Sequence, residues 1–218
     1  MDPATNPLES HNLKWLKIGL SQRTIQAAEA QGVVSPSDEL HDELSQQWTT
    51  LLNARHLLTL PIPNLVPLQP WLSAVNLDGI LLSGGNDHAT RSTCETACIE
   101  YSIQHRLPLM GICHGFQCIA RYFGATLIPI QGHVGCTHPV QIHENPYIPT
   151  GTQIVNSFHT LTIATLPDGF KPLATDLEGH LEAIYHETLP IVAFIWHPER
   201  PPFDAKWNAW AYSFYAKN

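Results

Sequence analysis

Short apolar runs alternate with amphipathic stretches in the first half of the chain. The runs at 16–20, 56–60, 78–82 and 107–110 have the length and composition of buried strands bounded by Gly, Pro and polar residues. Apolar residues recur at helical spacing from Asp38 to Ala54, with Ser37 or Asp38 as the cap, and again over 93–105. This alternation predicts an α/β fold with a parallel, helix-covered sheet.

The pattern changes after residue 123. Short strands separated by Gly and Pro turns are predicted at 126–130, 134–143, 153–155, 161–164 and 181–185. We expect a smaller, partly antiparallel region there, a return to the central sheet at 191–195 and an aromatic-rich helix at 204–216. Residues 1–13 are polar and contain proline, which predicts a loose leader before a single domain over 14–218.

A cysteine stands at the turn between a predicted strand and a predicted helix. Residues 111–117 read Gly-Ile-Cys-His-Gly-Phe-Gln and follow directly on the apolar run 107–110. The glycines let strand and helix approach closely around a sharp turn. The thiol of Cys113 would then lie at a helix N-terminus, where unpaired N–H groups and the helix dipole favour a thiolate. We interpret Cys113 as a nucleophile.

A later apolar strand ends in His197, with Glu199 two positions further on. Both side chains point the same way on an extended backbone, and Pro198 stiffens the segment between them. Each residue type alone is more often a packing or surface residue. Together, at strand ends where open α/β sheets bind ligands, Cys113, His197 and Glu199 supply a nucleophile, its base and the orienter of that base. The backbone N–H of His114 is a candidate donor to the oxyanion.

These motifs and the Ser-Gly-Gly-Asn-Asp turn at 83–87 resemble the class I (triad-type) glutamine amidotransferases, in their γ-glutamyl hydrolase branch. The resemblance extends from about Ile18 to Arg200. It implies a flavodoxin-like, open, mostly parallel central sheet with helices on both faces and a small antiparallel region in the C-terminal half. It also implies cofactor-free hydrolysis of a γ-glutamyl amide through a γ-glutamyl thioester, with a second oxyanion donor from Gly85 or, as second choice, Gly84.

Two further segments resemble the parts of this family that bind the glutamyl group. Gln117 faces the nucleophile's side of the predicted helix and matches the family's substrate-binding glutamine. The loop with Ser157, Phe158 and His159 resembles the one that supplies backbone contacts to the same group. On its residues alone, this loop is typical of a polar turn.

A narrower resemblance is to the γ-glutamyl-CDP-amidate hydrolases of bacterial capsule phosphoramidate synthesis, which release glutamate and cytidine diphosphoramidate. It rests on residues 21–23, 48, 61–64, 84–87, 91, 95, 132–134 and 138. Arg23 and Arg91 follow predicted strand ends, where a pyrophosphate needs cationic partners, and Asn86 stands in the same turn. A surface ion pair is an equal alternative for each arginine.

Three histidines, His133, His138 and His143, are spaced by five residues and raise the question of a metal. This spacing is not specific for ligands, and Gly135 and Pro139 interrupt any regular element. The sequence therefore favours no metal. We expect His133 and His138 to form a polar wall around the leaving group, and His143 to lie on the surface.

Two other functions remain open. One is hydrolysis of another γ-glutamyl amine, such as γ-glutamyl-GABA, and the other is a glutaminase subunit that supplies ammonia to a separate synthetase. The 218 residues are too few for a fused synthetase, and no conspicuous apolar docking helix is predicted. Turnover of γ-glutamyl amides by the purified chain alone would separate these functions.

The composition limits the binding partners and the cellular location that we expect for the protein. A net charge of −8 with eleven Lys and Arg argues against nucleic acid, so the expected partner is a small γ-glutamyl substrate. Five irregularly spaced cysteines predict no disulfide framework, and Cys94 and Cys98 are expected to pack on a helix. Without a membrane-length apolar stretch or signal-peptide pattern, we expect a cytoplasmic protein, and the sequence leaves a homo-oligomer open.

Overall fold

A computed structural model describes residues 14–26, 40–201 and 205–217. The predicted leader at 1–13 and the cap residues Ser37 and Asp38 lie outside these ranges. The strands are β1 (Leu16–Ser21), β2 (Arg23–Gln26), β3 (Leu40–Glu43), β4 (Leu57–Ile62), β5 (Gly79–Leu82), β6 (Leu109–Ile112), β7 (Leu127–Pro129), β8 (Val134–Ile142), β9 (Gly151–Phe158), β10 (Leu161–Ile163), β11 (Phe170–Asp176), β12 (Leu181–His186) and β13 (Ile191–Phe194). The described helices are α1 (Gln46–Asn53), α2 (Gln69–Val75), α3 (Ala89–His105), α4 (His114–Tyr122) and α5 (Ala205–Lys217).

Nine strands form one sheet in the order β4-β1-β5-β6-β13-β12-β11-β8-β9. The pairs from β4 to β13 are parallel, and those from β13 to β9 are antiparallel. Numbered among themselves, the five parallel strands have the 2-1-3-4-5 order of flavodoxin-like folds. The predicted α/β fold is confirmed. The antiparallel strands β12, β11, β8 and β9 extend the same sheet, whereas β7 pairs with β10, and β2 with β3, in two small separate antiparallel sheets.

Helices cover both faces of the sheet, and each face has its own apolar core. On one face, Trp48 of α1 and Phe214 of α5 belong to the same buried cluster as Met110 of β6. On the other face, Leu72 of α2 and Phe116 of α4 join a second cluster. Strands β5, β6 and β13 are buried along their whole length, which explains why each reads as an unbroken apolar run. No helix in the described ranges is long and apolar enough to cross a membrane.

The structure corrects the predicted helix that begins at Asp38. Leu40–Glu43 instead pairs with β2 as an antiparallel strand. Helix α1 begins only at Gln46, because the Ser45 hydroxyl caps it by accepting a bond from Gln47 N at 3.3 Å. Helix α2 and strand β11 have no counterpart in the prediction, and a proline in the first turn of α2 is compatible with helix geometry.

Candidate active site

Cys113 occupies the turn between β6 and α4. Its φ of 52° and ψ of −99° form a conformation that a residue with a side chain rarely adopts. Its N–H donates to Phe194 O at 2.8 Å, which ties the turn to β13. A Cβ on Gly115 would lie 2.2 Å from Leu82 O, so only glycine fits where α4 passes over the sheet.

His197 and Glu199 lie three and five residues after the end of β13 and are each 2% exposed. The Nδ1 atom of His197 is 2.7 Å from Glu199 Oε1. The backbone of His197 is clamped by Asn156, whose Oδ1 accepts from His197 N and whose Nδ2 donates to His197 O, both at 2.8 Å. This clamp was not predicted, although Asn156 begins the loop, residues 156–159, that the resemblance assigns to the substrate.

The charge of His197 depends on its two neighbours, Cys113 and Glu199. Burial lowers the pKa of His197, but hydrogen bonds with Cys113 and Glu199 outweigh it and raise the pKa to about 9. Because Nδ1 faces Glu199, Nε2 is the nitrogen left for the thiol. A Cβ on Gly84 would lie 2.6 Å from His197 Cε1 and 3.5 Å from Cys113 Cβ, so this glycine makes room for both side chains.

The predicted oxyanion donors come from the first turn of α4 and from the glycine turn at residues 84–85. His114 is the first residue of α4, where helix geometry gives its N–H no partner within the helix. Gly85 has a φ of 140°, and a Cβ there would lie 2.5 Å from Arg23 Cδ. The turn at Gly84 and Gly85 therefore approaches Cys113 closely and has no room for side chains, as a donor loop requires.

Arg91 corrects one prediction. Its side chain is 0% exposed, and its guanidinium donates to Glu95 Oε1 at 3.0 Å, to Asn86 O at 3.1 Å and to Ser83 O at 2.7 Å. The arginine therefore holds the carbonyl groups of the glycine turn in place, and its buried guanidinium is not open to a phosphate. The amide nitrogen of Asn86 is likewise used internally, donating to Thr24 O at 2.9 Å.

The residues expected to bind the glutamyl group differ in exposure: Gln117 and Phe158 are at least partly exposed, whereas Ser157 and His159 are buried. Gln117 donates to Leu161 O at 3.2 Å, and the Phe158 ring, 40% exposed, lies edge-on to His197 with centroids 5.7 Å apart. Ser157 is fully buried and its hydroxyl donates to His133 O at 2.7 Å, so only its backbone remains for a substrate. The side chain of His159 is also buried.

A cleft of about 320 Å³ opens beside Gly84 and Glu199. Two arginines line it. Arg23 is paired with Glu43 of β3, and the guanidinium of Arg200 lies 5.0 Å from the centre of the Phe158 ring. Arg200 was missed by the sequence reasoning, although it directly follows Glu199. A larger hollow of about 470 Å³ between residues 65–69 and α3 contains none of the predicted site residues.

Three predicted residues, His133, His138 and His159, surround one carboxylate that was not predicted, Glu182 of β12. We call these four residues the histidine cluster. Their closest nitrogen–oxygen distances to Glu182 are 3.4 Å from His133 Nδ1, 3.7 Å from His138 Nε2 and 3.7 Å from His159 Nε2. His143 stands apart, with its Nε2 2.9 Å from Thr175 Oγ1. A glutamate within an apolar strand was the signal available in the sequence.

The four other cysteines are free thiols, like Cys113. Burial raises the pKa of Cys94 to about 11 and that of Cys98 well above its usual value. Burial and the neighbouring Glu95 carboxylate also raise the pKa of Cys118. Cys136 is partly exposed, with its sulfur 3.0 Å from Gly132 O. All five cysteines of the sequence are thus accounted for as thiols.

Comparison with known proteins places these features in a family context. The family model described as glutamine amidotransferase class-I matches residues 48–206. The γ-glutamyl-CDP-amidate hydrolase of Campylobacter jejuni is 28% identical over 198 residues, which cover 84% of this chain and 90% of that protein. One subunit of the glutamine-hydrolysing GMP synthase of Thermococcus kodakarensis is 34% identical over 149 residues, covering 63% and 74%.

A solved structure shares the fold. It is the crystal structure of a Thermoplasma acidophilum protein described as a GMP synthase subunit, with a TM-score of 0.71. The match covers 94% of this chain and 96% of the other, at 23% sequence identity.

Proposed function

This chain belongs to the class I glutamine amidotransferase family, and from that premise we propose that it hydrolyses a γ-glutamyl amide through a γ-glutamyl thioester on Cys113. The observation that carries the proposal is the buried line of Cys113, His197 and Glu199. In this line the imidazole is hydrogen-bonded to both neighbours. Such a line is the arrangement that activates a nucleophile for acyl transfer.

The proposed reaction begins when His197 Nε2 takes the proton of the Cys113 thiol. The thiolate attacks the γ-carbonyl carbon, and the backbone N–H groups of His114 and Gly85, or Gly84 in place of Gly85, donate to the oxyanion. The intermediate collapses with cleavage of the amide bond, and His197 returns the proton to the leaving nitrogen. Water, deprotonated by the same imidazole, then hydrolyses the thioester and releases glutamate. Glu199 holds the tautomer and stabilises the imidazolium throughout.

We assign recognition of the glutamyl group to Gln117 and to the backbone of residues 157–159. Gln117 is on the first turns of α4, the helix that begins beside the nucleophile. Its amide nitrogen is fixed by Leu161 O, which leaves its oxygen free to accept from a substrate ammonium. The Phe158 ring beside His197 supplies an apolar wall next to the acyl group.

For the leaving group we propose a nucleoside diphosphoramidate, so that γ-glutamyl-CDP-amidate yields glutamate and cytidine diphosphoramidate for capsule phosphoramidate synthesis. Two observations support this choice. The Campylobacter jejuni relative with that name is matched over nine-tenths of its length. In addition, the cleft beside Glu199 has Arg23 and Arg200 on its walls, and guanidinium groups suit phosphate oxygens.

Three substrates offered to the purified chain alone test the proposal: γ-glutamyl-CDP-amidate, γ-glutamyl-GABA and glutamine. We expect the highest kcat/KM for the nucleotide, measured as glutamate released, and none in the Cys113→Ser variant. A higher kcat/KM for γ-glutamyl-GABA would reassign the leaving group while keeping the chemistry.

A glutaminase subunit is the second candidate, because of two kinds of relative. They include the GMP synthase subunit from Thermococcus kodakarensis and a carbamoyl phosphate synthase small chain from Halomonas eurihalina, 30% identical over 154 residues. In that case a separate synthetase would use the ammonia. Hydrolysis of glutamine without any turnover of the γ-glutamyl nucleotide would select this candidate.

A further inference from the structure

The histidine cluster adjoins the triad, but its side chains take no part in the proposed reaction. Glu182 lies on β12, and its backbone carbonyl accepts from Ile195 N at 2.9 Å, two residues before His197. His133 directly precedes β8, His138 lies in the middle of β8, and His159 directly follows β9. The cluster therefore joins three segments of the antiparallel half of the sheet immediately beside the strand that carries the base.

The hydrogen bonds around His159 and His138 determine which nitrogen of each ring faces Glu182 as a lone pair. In His159, Nδ1 lies 3.1 Å from Leu161 O, and since a carbonyl only accepts, Nδ1 carries the hydrogen. His138 bonds to the backbone of Pro139, which offers only a carbonyl, and its Nε2 is the nitrogen without a partner, so Nδ1 donates there. In both rings, Nε2 is the unprotonated atom of the neutral imidazole.

His133 has the same character with its nitrogens exchanged. Its Nε2 lies 3.5 Å from Asp176 Oδ2, and Nδ1 is buried without a hydrogen-bond partner. Asp176 is held by His180 Nδ1 at 2.8 Å and by two backbone N–H groups. A carboxylate behind a histidine fixes the tautomer in which the opposite nitrogen is a lone pair, as it does behind metal-bound histidines.

Three lone-pair nitrogens thus face a carboxylate that has two acceptor oxygens of its own. Both oxygens of Glu182, and the facing nitrogen of each histidine, are buried without a hydrogen-bond partner. Unpartnered polar atoms in the interior are costly, and acceptors that face each other repel. A protonated Glu182 carboxyl would offer a single O–H and would satisfy only one of the three nitrogens. A cation would satisfy all of them.

We propose that the histidine cluster binds one divalent transition-metal ion of the Zn²⁺ type through His133 Nδ1, His138 Nε2, His159 Nε2 and the Glu182 carboxylate. Zn²⁺ takes four nitrogen or oxygen ligands tetrahedrally at roughly 2.0–2.1 Å, which places neighbouring ligand atoms about 3.4 Å apart. The separations to Glu182 Oε1, 3.4 Å from His133 and 3.7 Å from His159, are close to those edges, and His138 Nε2 lies 3.7 Å from the second oxygen, Oε2. The ligand atoms of His133, His159 and Glu182 also lie within 4.8 Å of one another.

The site is of the closed type. The side chains of His159 and Glu182 are 1% and 0% exposed, and that of His138, the most accessible, is 17% exposed. With four protein ligands, no coordination position remains for a substrate, so the ion would fasten β8, the end of β9 and β12 together behind the triad.

Metal content tests the inference without reference to any activity. The chain, freed of any histidine tag, is depleted with a chelator and then titrated with Zn²⁺, and with Co²⁺ for its tetrahedral absorption bands. We expect one ion per chain and a lower Tm in the depleted protein. The Glu182→Gln variant keeps the shape of the side chain and should lose more than the roughly 10- to 100-fold in affinity that altering an outer partner costs.

Two variants serve as controls. His143→Gln removes a histidine of the same sheet that lies outside the cluster, and Cys113→Ser removes the thiol that a stray metal ion would seek beside His197. Both should bind one ion as tightly as the unmodified chain. Folded protein that takes up neither ion, or uptake that is lost in Cys113→Ser and kept in Glu182→Gln, would overturn the proposal. Binding of cytidine diphosphate that depends on Glu182, without metal binding, would instead restore the leaving-group wall.

Discussion

Two groups of histidine and carboxylate lie buried on neighbouring strands, and their geometry differs in one respect. In the triad, His197 Nδ1 is 2.7 Å from Glu199, and hydrogen bonds raise the pKa of the ring to about 9. In the histidine cluster, the corresponding nitrogen–oxygen distances to Glu182 are 3.4–3.7 Å, and burial lowers the pKa of His159 to about 4.

The same residue types are therefore arranged for opposite purposes. A histidine whose two nitrogens both have partners is built to hold and pass a proton. Three histidines whose free nitrogens converge on a carboxylate are built to hold a cation. Whether the second ring nitrogen has a hydrogen-bond partner, rather than the residue type, distinguishes the proton-transfer site from the proposed metal site.

Removal of the Cys113 thiol should have the largest effect on turnover. It should disable the triad and leave the histidine cluster unchanged. We expect Cys113→Ser to lower kcat/KM for γ-glutamyl-CDP-amidate by about a thousandfold or more, as for other lost nucleophiles. The fold and the metal content should stay unchanged, because Ser fits the same turn and the cluster does not use the thiol. Glutamate release and circular dichroism are the measurements. Turnover retained in this variant would remove the triad from the comparison.

Within the triad, base and orienter should be distinguishable. His197→Ala should lose nearly as much kcat/KM as the Cys113 variant, since no other group moves the proton. Glu199→Gln keeps a hydrogen-bond partner for Nδ1 and should be about 10- to 100-fold less damaging. The measurement is kcat/KM for both variants under identical conditions. A Glu199→Gln enzyme slower than His197→Ala would reverse the assigned roles.

The arginines of the cleft should affect only the nucleotide half of the substrate. Arg23→Ala should lower kcat/KM for γ-glutamyl-CDP-amidate roughly 10- to 100-fold, the scale of a lost charge-assisted hydrogen bond, and barely change that for γ-glutamyl-GABA. Arg200→Ala should act similarly, although its Nε lies 3.5 Å from Glu199 Oε1.

The matched control for both variants is Arg106→Ala, because Arg106 is a cation outside the cleft and donates to Thr188 O. A loss of equal size on both substrates would show that the changed arginine supports the triad rather than the phosphates. No loss on either substrate would exclude the nucleotide as leaving group.

The smallest expected effect is a shift in the pH above which kcat/KM falls. Because the pKa of His197 is raised from 6.5 to about 9, its contribution to folding stability is fully present below pH 6.5 and is lost as pH rises through 9. The imidazolium should likewise persist to about pH 9.

We therefore expect kcat/KM to fall above about pH 9, and this limb to move to lower pH by about one unit in Glu199→Gln, since the carboxylate no longer stabilises the cation. A pH–rate profile of both enzymes measures the shift. A limb that stays in place would mean that Glu199 does not set the charge of the base.

The sequence predicts the parallel part of the fold well because its strands are buried on both faces. Such strands read as short apolar runs whatever surrounds them. Strand β3 carries charged residues, and β11 contains Pro172, so neither gives an apolar pattern. The helix predicted from Asp38 fails for a related reason. Spacing alone gave no indication that Leu40 would pair with β2.

The candidate site likewise contains residues that the sequence predicts and residues that it does not. Cys113, His197 and Glu199 are readable because Cys113 directly follows β6, and His197 and Glu199 come within five residues of the end of β13, so topology brings them to one edge of the sheet. Arg91 also follows a strand, but its position does not reveal that the guanidinium turns inward to Ser83 O. The partners of the histidine cluster come from β8, the end of β9 and β12, and only the folded sheet brings them together.

The burial of the other cysteines has a practical consequence for covalent labelling. Three thiols, those of Cys94, Cys98 and Cys118, have raised pKa values, so alkylating agents that need a thiolate should pass them by at neutral pH. Only Cys136 then competes with the proposed nucleophile. A Cys136→Ser protein treated with iodoacetamide should gain a single adduct, and the amount incorporated would count the competent molecules in any preparation before a substrate is chosen.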